Sequence, residues 1–314
     1  MALHVLHGWK NLEADHRGAS LALGNFDGVH RGHLQVIANA AKAAGALQVP
    51  LGVISFEPHT HKWFYPNDPA FRLTNTDQQR RLLEGLGVDR LHVLPFDAEI
   101  AGFGDEEFAR RVLADGLGAR HVAAGFDITF GKGRTGHPDS LTRYGEKYGF
   151  SVSIARPVTG PSGLKFSSTD VRAALRAGRP EDAAAILGRP FTIEGVVVHG
   201  DQLGRTIGFP TANIALEDYV RPAYGIYAAR TRLADGREAP GVAYIGKRPT
   251  ILNDEEERLE VYLFDFDEDL YGHTLEVELV RFIRGDEKFD GLDALVEQMG
   301  KDAAVARALL VPEI

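Results

Sequence analysis

Residues 20–44 constrain the rest of the chain more than any other stretch. A short apolar run, Ser20-Leu-Ala-Leu-Gly24, leads into Asn25-Phe26-Asp27-Gly28-Val29-His30-Arg31-Gly32-His33. Apolar residues then recur at Leu34, Ile37, Ala38 and Ala41. The apolar spacing changes from a run to steps of three and four, which predicts a buried strand feeding an amphipathic helix. A strand that enters a helix through a glycine-containing turn gathers backbone N–H groups and the positive helix end at one point. That point suits an anion, above all a phosphate. His30 and His33 are three apart and share a helix face, and Gly32 between them lets a ligand approach the backbone. Two histidines without a further nearby ligand fit phosphate stabilisation better than a closed metal site. Taken alone, the turn reads equally as a capping turn with two surface histidines.

The remainder of the first half repeats the strand-then-helix rhythm. Strands are expected near residues 49–56, 90–94, 121–124 and 151–154, with helices from about 76, from 105 and around 140–148. Such alternation predicts a parallel α/β sheet with crossover helices, whose ligands bind beyond the carboxyl ends of the strands. Polar residues gather there, after Leu23, Phe56 and Ala124. Two glycine- and proline-containing turns, at 177–181 and 187–190, mark a domain boundary. The expected domains are residues 1–185 and 186–314. Beyond the boundary, five strand-like segments at 192–199, 225–233, 241–245, 259–265 and 274–282 precede a helix at 291–310 with Leu292, Leu295, Val296 and Met299 on one stripe. This describes a compact β-barrel closed by a C-terminal helix.

A length of 314 residues suits two domains. With 44% apolar and 25% charged residues, real cores can form. The net charge of −9 argues against a nucleic-acid binder, which shows a basic footprint. There is no cysteine, hence no disulfide framework or thiolate chemistry. No stretch approaches a membrane span, and a cytoplasmic, soluble protein is expected.

Several motifs carry a resemblance. The segment Gly24-Asn-Phe-Asp-Gly-Val-His-Arg-Gly-His33 is similar to the HxGH signature of nucleotidylyltransferases, and its flanks resemble the adenylyltransferase half of bacterial bifunctional riboflavin kinase/FAD synthetases. Ser167-Ser168-Thr169-Asp170-Val171-Arg172, read by itself as an anion site or an ordinary capped helix with Ser168 as N-cap, resembles that family's second phosphate-binding motif. Pro58-His59 matches part of a Pro-His-Pro segment, with Thr60 in place of the second proline and His61 additional. The loop 125–134, with Asp127, Lys132 and Arg134, resembles a family segment of the same shape.

In the second half, Gly200, Gly204 and Gly208 leave room for a close ligand, Pro210 stiffens a turn, and Thr211 and Asn213 offer oxygens to a hard cation. The stretch lacks a Walker ending and resembles the Gly-Phe-Pro-Thr-Ala-Asn signature of riboflavin kinases. Strand alternation puts Glu260 on one face with Tyr262 and Phe264. The segment resembles the one in which the family keeps its catalytic base. In the segment 242–250, Tyr244 stands where the family carries Asn.

The resemblance spans nearly the whole chain and implies two reactions. The barrel would phosphorylate riboflavin to FMN with ATP, Glu260 acting as base and Thr211 and Asn213 holding Mg²⁺ and ATP phosphate, with Gly200, Gly204, Gly208 and Pro210 around the ATP. The α/β domain would adenylylate FMN to FAD with release of pyrophosphate. His30, His33 and Arg172 would hold the triphosphate, assisted by Ser168 and Thr169, while Gly24, Asn25, Phe26, Asp27, Gly28 and Gly32 shape the pocket and His59 and Asp127 lie towards the flavin. The implied partners are riboflavin, FMN, FAD and ATP. Two other readings are that only one half is active, or that the barrel is a non-catalytic flavin-binding regulatory module.

Overall fold

A computed structural model describes residues 2–160, 165–199, 208–248 and 256–310. The chain forms two compact units, Met1–Pro69 with Thr76–Ser167, and Ala70–Asn75 with Ser168–Ile314.

The first unit holds six strands: β1 (His4–His7), β2 (Ser20–Leu23), β3 (Leu51–Glu57), β4 (Arg90–Pro95), β5 (His121–Gly125) and β6 (Ser151–Ala155). They form one sheet in the order β1-β4-β3-β2-β5-β6, and every pairing is parallel. The helices are α1 (Arg31–Leu47), α2 (Thr60–Phe64), α3 (Thr76–Gly85), α4 (Ala98–Gly102), α5 (Asp105–Glu107), running into a π-helical stretch Phe108–Gly116, and α6 (Pro138–Tyr148). All four residues of β2 are buried, as a strand covered on both faces requires. From β2 the chain adds β3 and β4 on one side and later β5 and β6 on the other. The strand order therefore reverses at β2, and the crevice beyond its carboxyl end is where such sheets bind ligands.

α1 docks on this sheet through Val36, Ile37, Ala40 and Ala44, and the Ser20 hydroxyl donates to the Ala40 carbonyl at 2.7 Å. Ala38 and Ala41, placed on the buried stripe by spacing, are exposed. Alanine gains little from burial, so the larger Val36 and Ile37 set the rotation of the helix.

His92 on β4 is 1% exposed, and neither ring nitrogen has a hydrogen-bond partner among the described residues. Burial, and then the charges of Arg90 and His16, push its pKa down from 6.5 to about 4. Above pH 6.5 the ring is neutral in both folded and unfolded chains. As pH falls through 6.5 the unfolded chain takes the proton first, so stability is lost down to about pH 4 and the loss then levels off, at about 3 kcal/mol. His92→Leu is expected to remove this part of the acid sensitivity and to match or exceed wild type at pH 7. Both tryptophans, Trp9 and Trp63, lie in the first unit. Urea unfolding followed by tryptophan fluorescence at pH 7 and pH 4.5 reads the effect. Equal pH dependence in variant and wild type would contradict it.

The second unit opens with α7 (Ser168–Arg176) and α8 (Pro180–Leu187) and continues with β7 (Phe191–Val198), β8 (Ala212–Ala215), β9 (Gly225–Arg232), β10 (Glu238–Arg248), β11 (Glu256–Leu263) and β12 (Thr274–Arg284), followed by α9 (Leu292–Leu310). The strands close into an antiparallel barrel in the order β10-β11-β8-β7-β12-β9. Phe191, Ile193, Val197, Ile214, Tyr227 and Leu259 lie among its buried core residues. β8 was not expected from the sequence, where 199–213 reads as a turn-rich loop.

α9 covers the outside of the barrel through Ala303, Ala306 and Leu310, against Ala228, Val242, Val280 and Phe264. A fork of hydrogen bonds from Arg284 to the buried Asp302 anchors it. Leu292 on the expected stripe is exposed, and Leu295, Val296 and Met299 are half-buried. A charged pair at the centre of the contact is invisible to apolar periodicity.

Candidate functional sites

The turn between β2 and α1 is built under backbone strain. Phe26, Gly28 and Val29 have φ of 51°, 81° and 40°. Glycine takes this region freely, but a β-branched valine does so only when its surroundings impose it, as commonly happens at ligand sites. Phe26, Val29 and Asp27 are all buried, which holds the turn in place. Gly32 is required locally. A Cβ there would lie 2.9 Å from the His30 ring and 3.2 Å from the Phe166 carbonyl oxygen.

His30 is the N-cap of α1 and 6% exposed. Its Nδ1 accepts from the N–H groups of Gly32 at 3.0 Å and His33 at 3.3 Å. That arrangement assigns the proton to Nε2, making Nε2 the donor of the ring. The His30 and His33 rings stack with centroids 3.6 Å apart, and Phe26 packs on His33 at 5.1 Å. The two histidines are thus brought together beside the helix N-terminus, where an anion is favoured.

The neighbouring strand ends supply the rest of this rim. Asn25 donates from Nδ2 to the Thr60 hydroxyl at 3.0 Å, and Gln79 donates to the Asn25 carbonyl at 3.0 Å. These bonds tie the end of β2 to α2 and α3. His59 is the N-cap of α2, its Nδ1 accepting from the His61 N–H, while His61 pairs with Asp68 at 3.0 Å. Asp127, after β5, pairs with Lys165 at 2.6 Å. Lys132 and Arg134 lie in an exposed 3₁₀ turn. Sequence reasoning passed over the aromatic side of this rim. Trp63 and Phe64 on α2 are exposed and meet Phe96 at 6.3 and 5.7 Å. Phe96 packs edge-on against Phe56 at 5.6 Å. The run Lys62-Trp-Phe-Tyr-Pro66 was the available signal. Exposed aromatics grouped beside a ligand crevice offer ring faces to a planar ligand.

Ser168, Thr169 and Arg172 lie on α7 in the second unit. The helix begins at Ser168 itself, so the preceding residue, Ser167, occupies the cap position expected for Ser168. Arg172 donates from Nε to the Phe71 carbonyl at 2.7 Å, and its guanidinium lies 5.2 Å from the centre of the Phe71 ring.

On the barrel, antiparallel register pairs Glu260 directly with Asn213 on β8 and with Tyr244 on β10. Residues directly opposite share a face, so the carboxylate and the carboxamide are neighbours. Leu259, Val261 and Leu263 point into the core, which leaves Glu260 half-exposed on the outer face with Tyr262. Tyr262 stacks edge-on with Phe209 and Phe264 at 5.1 and 5.8 Å. Asn213 is 5% exposed, and its Oδ1 has no hydrogen-bond partner among the described residues. A buried carbonyl oxygen without a partner is costly, and a hard cation would satisfy it. Thr211, Pro210 and Ala212 line a cavity of about 310 Å³ together with Val261, Leu263 and Tyr271. Gly208 has φ of 84°, a conformation that suits glycine. Gly200 and Gly204 lie outside the described residues. The Tyr244 hydroxyl donates to Asp286 at 3.3 Å, and its ring lies over Gly246, where any Cβ would collide with it.

The family model for FAD synthetase matches residues 12–170, and the family model for riboflavin kinase matches residues 187–310. The chain belongs to the family of bifunctional riboflavin kinases/FMN adenylyltransferases. The family member from Pseudomonas fluorescens is 41% identical over 99% of both chains, and the one from Escherichia coli K12 is 38% identical over 97% of both. A crystal structure described as a macrolide-efflux protein from Streptococcus pneumoniae superposes with a TM-score of 0.86 at 33% identity, covering 98% of this chain and 99% of that one. That likeness extends the shared fold to the full length. No helix among the described residues is long and apolar enough to cross a membrane.

Proposed function

We propose that this chain makes FMN from riboflavin and ATP on its barrel, and FAD from FMN and a second ATP on its α/β domain, using the residues described above. The observation that carries the reading is the pairing of Glu260 with Asn213 on the outer face of the barrel. It joins a carboxylate base to a cation ligand, and a module that only binds flavin needs neither. The regulatory reading of the barrel is therefore not favoured.

In the kinase step, Glu260 takes the proton from the terminal hydroxyl of the ribityl chain as its oxygen bonds to the γ-phosphorus of ATP and ADP leaves. Thr211 and Asn213 would hold Mg²⁺, which offsets phosphate charge.

In the adenylylation step, a phosphate oxygen of FMN attacks the α-phosphorus of ATP and pyrophosphate leaves. No enzyme nucleophile is required, so catalysis rests on position and charge. His30, through its Nε2–H, and the stacked His33 ring stabilise the developing negative charge beside the N-terminus of α1, with Gly24, Asn25, Phe26, Asp27, Gly28 and Gly32 shaping the turn. Ser168, Thr169 and Arg172 supply further phosphate contacts. Trp63 and Phe64 give the isoalloxazine ring a surface, with His59 and Asp127 acting through the loops they fix. The functional division at residues 185/186 and a cytoplasmic setting are parts of this proposal.

Arg172→Ala is expected to lower FAD formation from FMN by about 10²-fold or more, the loss typical of one charged transition-state contact, while FMN formation from riboflavin continues. Assays of each half-reaction with its own substrate read the split. Equal loss of both activities would remove Arg172 from a dedicated role in adenylylation.

A further inference from the structure

Arg172 does not stand alone on α7. Its Nε donates to the Phe71 carbonyl at 2.7 Å and its guanidinium packs on the Phe71 ring at 5.2 Å. Phe71 is 8% exposed and is fixed from behind. The Arg72 N–H donates to the Asp218 carbonyl and the Val220 N–H donates to the Arg72 carbonyl, both at 2.8 Å, forming a parallel bridge between Arg72 and Tyr219. The adjacent Leu73 is sunk in the core of the barrel unit. Residues 70–75 are thus clamped to the same unit as α7, and they present one carbonyl and one ring face to the arginine.

We propose that Phe71 is a positioning residue for adenylylation: its carbonyl and ring fix the guanidinium plane of Arg172 before ATP arrives. The inference rests on the reading of Arg172 as a phosphate-holding residue. A free arginine side chain has many rotamers, and each bond it makes costs part of that freedom. Here one donor, Nε, is committed to a backbone carbonyl and the plane is set by the aromatic face. Preorganised donors stabilise transition-state charge without reorganising at the moment of reaction.

The test compares Phe71→Leu, which keeps apolar bulk but has no ring face, with Phe71→Tyr, which keeps the ring. Two readouts are used on the full-length protein. One is the NMR signal of the Arg172 Nε–H, assigned by its disappearance in Arg172→Lys; stacking on a ring shifts it and the carbonyl bond slows its exchange. The other is kcat/KM for ATP in FAD formation, with FMN formation as control. The expected result is that Phe71→Leu moves the signal and lowers kcat/KM for ATP by about 5- to 30-fold, the range set by a partly desolvated cation–π contact. FMN formation stays within twofold, and Phe71→Tyr recovers both signal and rate. An unmoved signal in Phe71→Leu overturns the proposal. So does a moved signal with an unchanged rate, or an equal loss in Phe71→Tyr. A wild-type protein that shows the shifted signal but forms no FAD from FMN overturns the underlying reading, and the proposal falls with it by a result distinct from the others.

Discussion

Glu260→Gln is expected to abolish FMN formation while FAD formation from supplied FMN persists. The substitution keeps size and strand propensity but cannot accept the hydroxyl proton. General bases contribute about 10²–10⁴ in rate, equivalent to about 3–5 kcal/mol of barrel-site activation energy. Glu260 is half-exposed on the outer face of β11, so the barrel core of Leu259, Val261 and Leu263 is untouched. The two half-reactions, assayed separately by chromatography of the flavins, read the effect. A variant that phosphorylates riboflavin at the wild-type rate would show that the proton goes elsewhere.

The second large effect is expected at His30. This residue caps α1 through Nδ1 and carries its proton on Nε2, so a deletion to alanine confounds two losses. His30→Asn separates them. Asparagine is a strong N-cap whose Oδ1 accepts from the same N–H groups, but it is too short to replace the ring donor. FAD formation from FMN should fall by about 10²–10³, as when one preorganised donor to developing charge is removed. Thermal stability should stay close to wild type, whereas His30→Ala should additionally lose about 1 kcal/mol of capping. If His30→Asn forms FAD normally and only His30→Ala is impaired, His30 is a cap and nothing more.

Much of this is legible in the amino-acid sequence itself. The strand–turn–helix at 20–44, the parallel sheet and the closed barrel follow from apolar spacing, because buried strands and helices impose different periods. The pairing of Glu260 with Tyr262 on one face followed from strand alternation alone. What the sequence hid was long-range. That Asn213 faces Glu260 depends on the register of β8, a four-residue strand inside a stretch whose glycines and prolines signal turns. That Phe71 holds Arg172 depends on a contact between residues 101 apart. The Nδ1 cap of His30 is local, but histidine is not among the residues that usually announce a helix start. The aromatic rim of Trp63, Phe64 and Phe96 joins α2 to the end of β4, and no single window of sequence contains it.

Two activities in sequence within one chain are tested most directly by one time course. Purified protein is mixed with riboflavin, ATP and Mg²⁺, and riboflavin, FMN and FAD are separated at intervals. The prediction is that FMN rises first, then declines as FAD accumulates, and that omitting ATP stops both. Accumulation of FMN with no FAD, or no conversion of riboflavin at all, would contradict it.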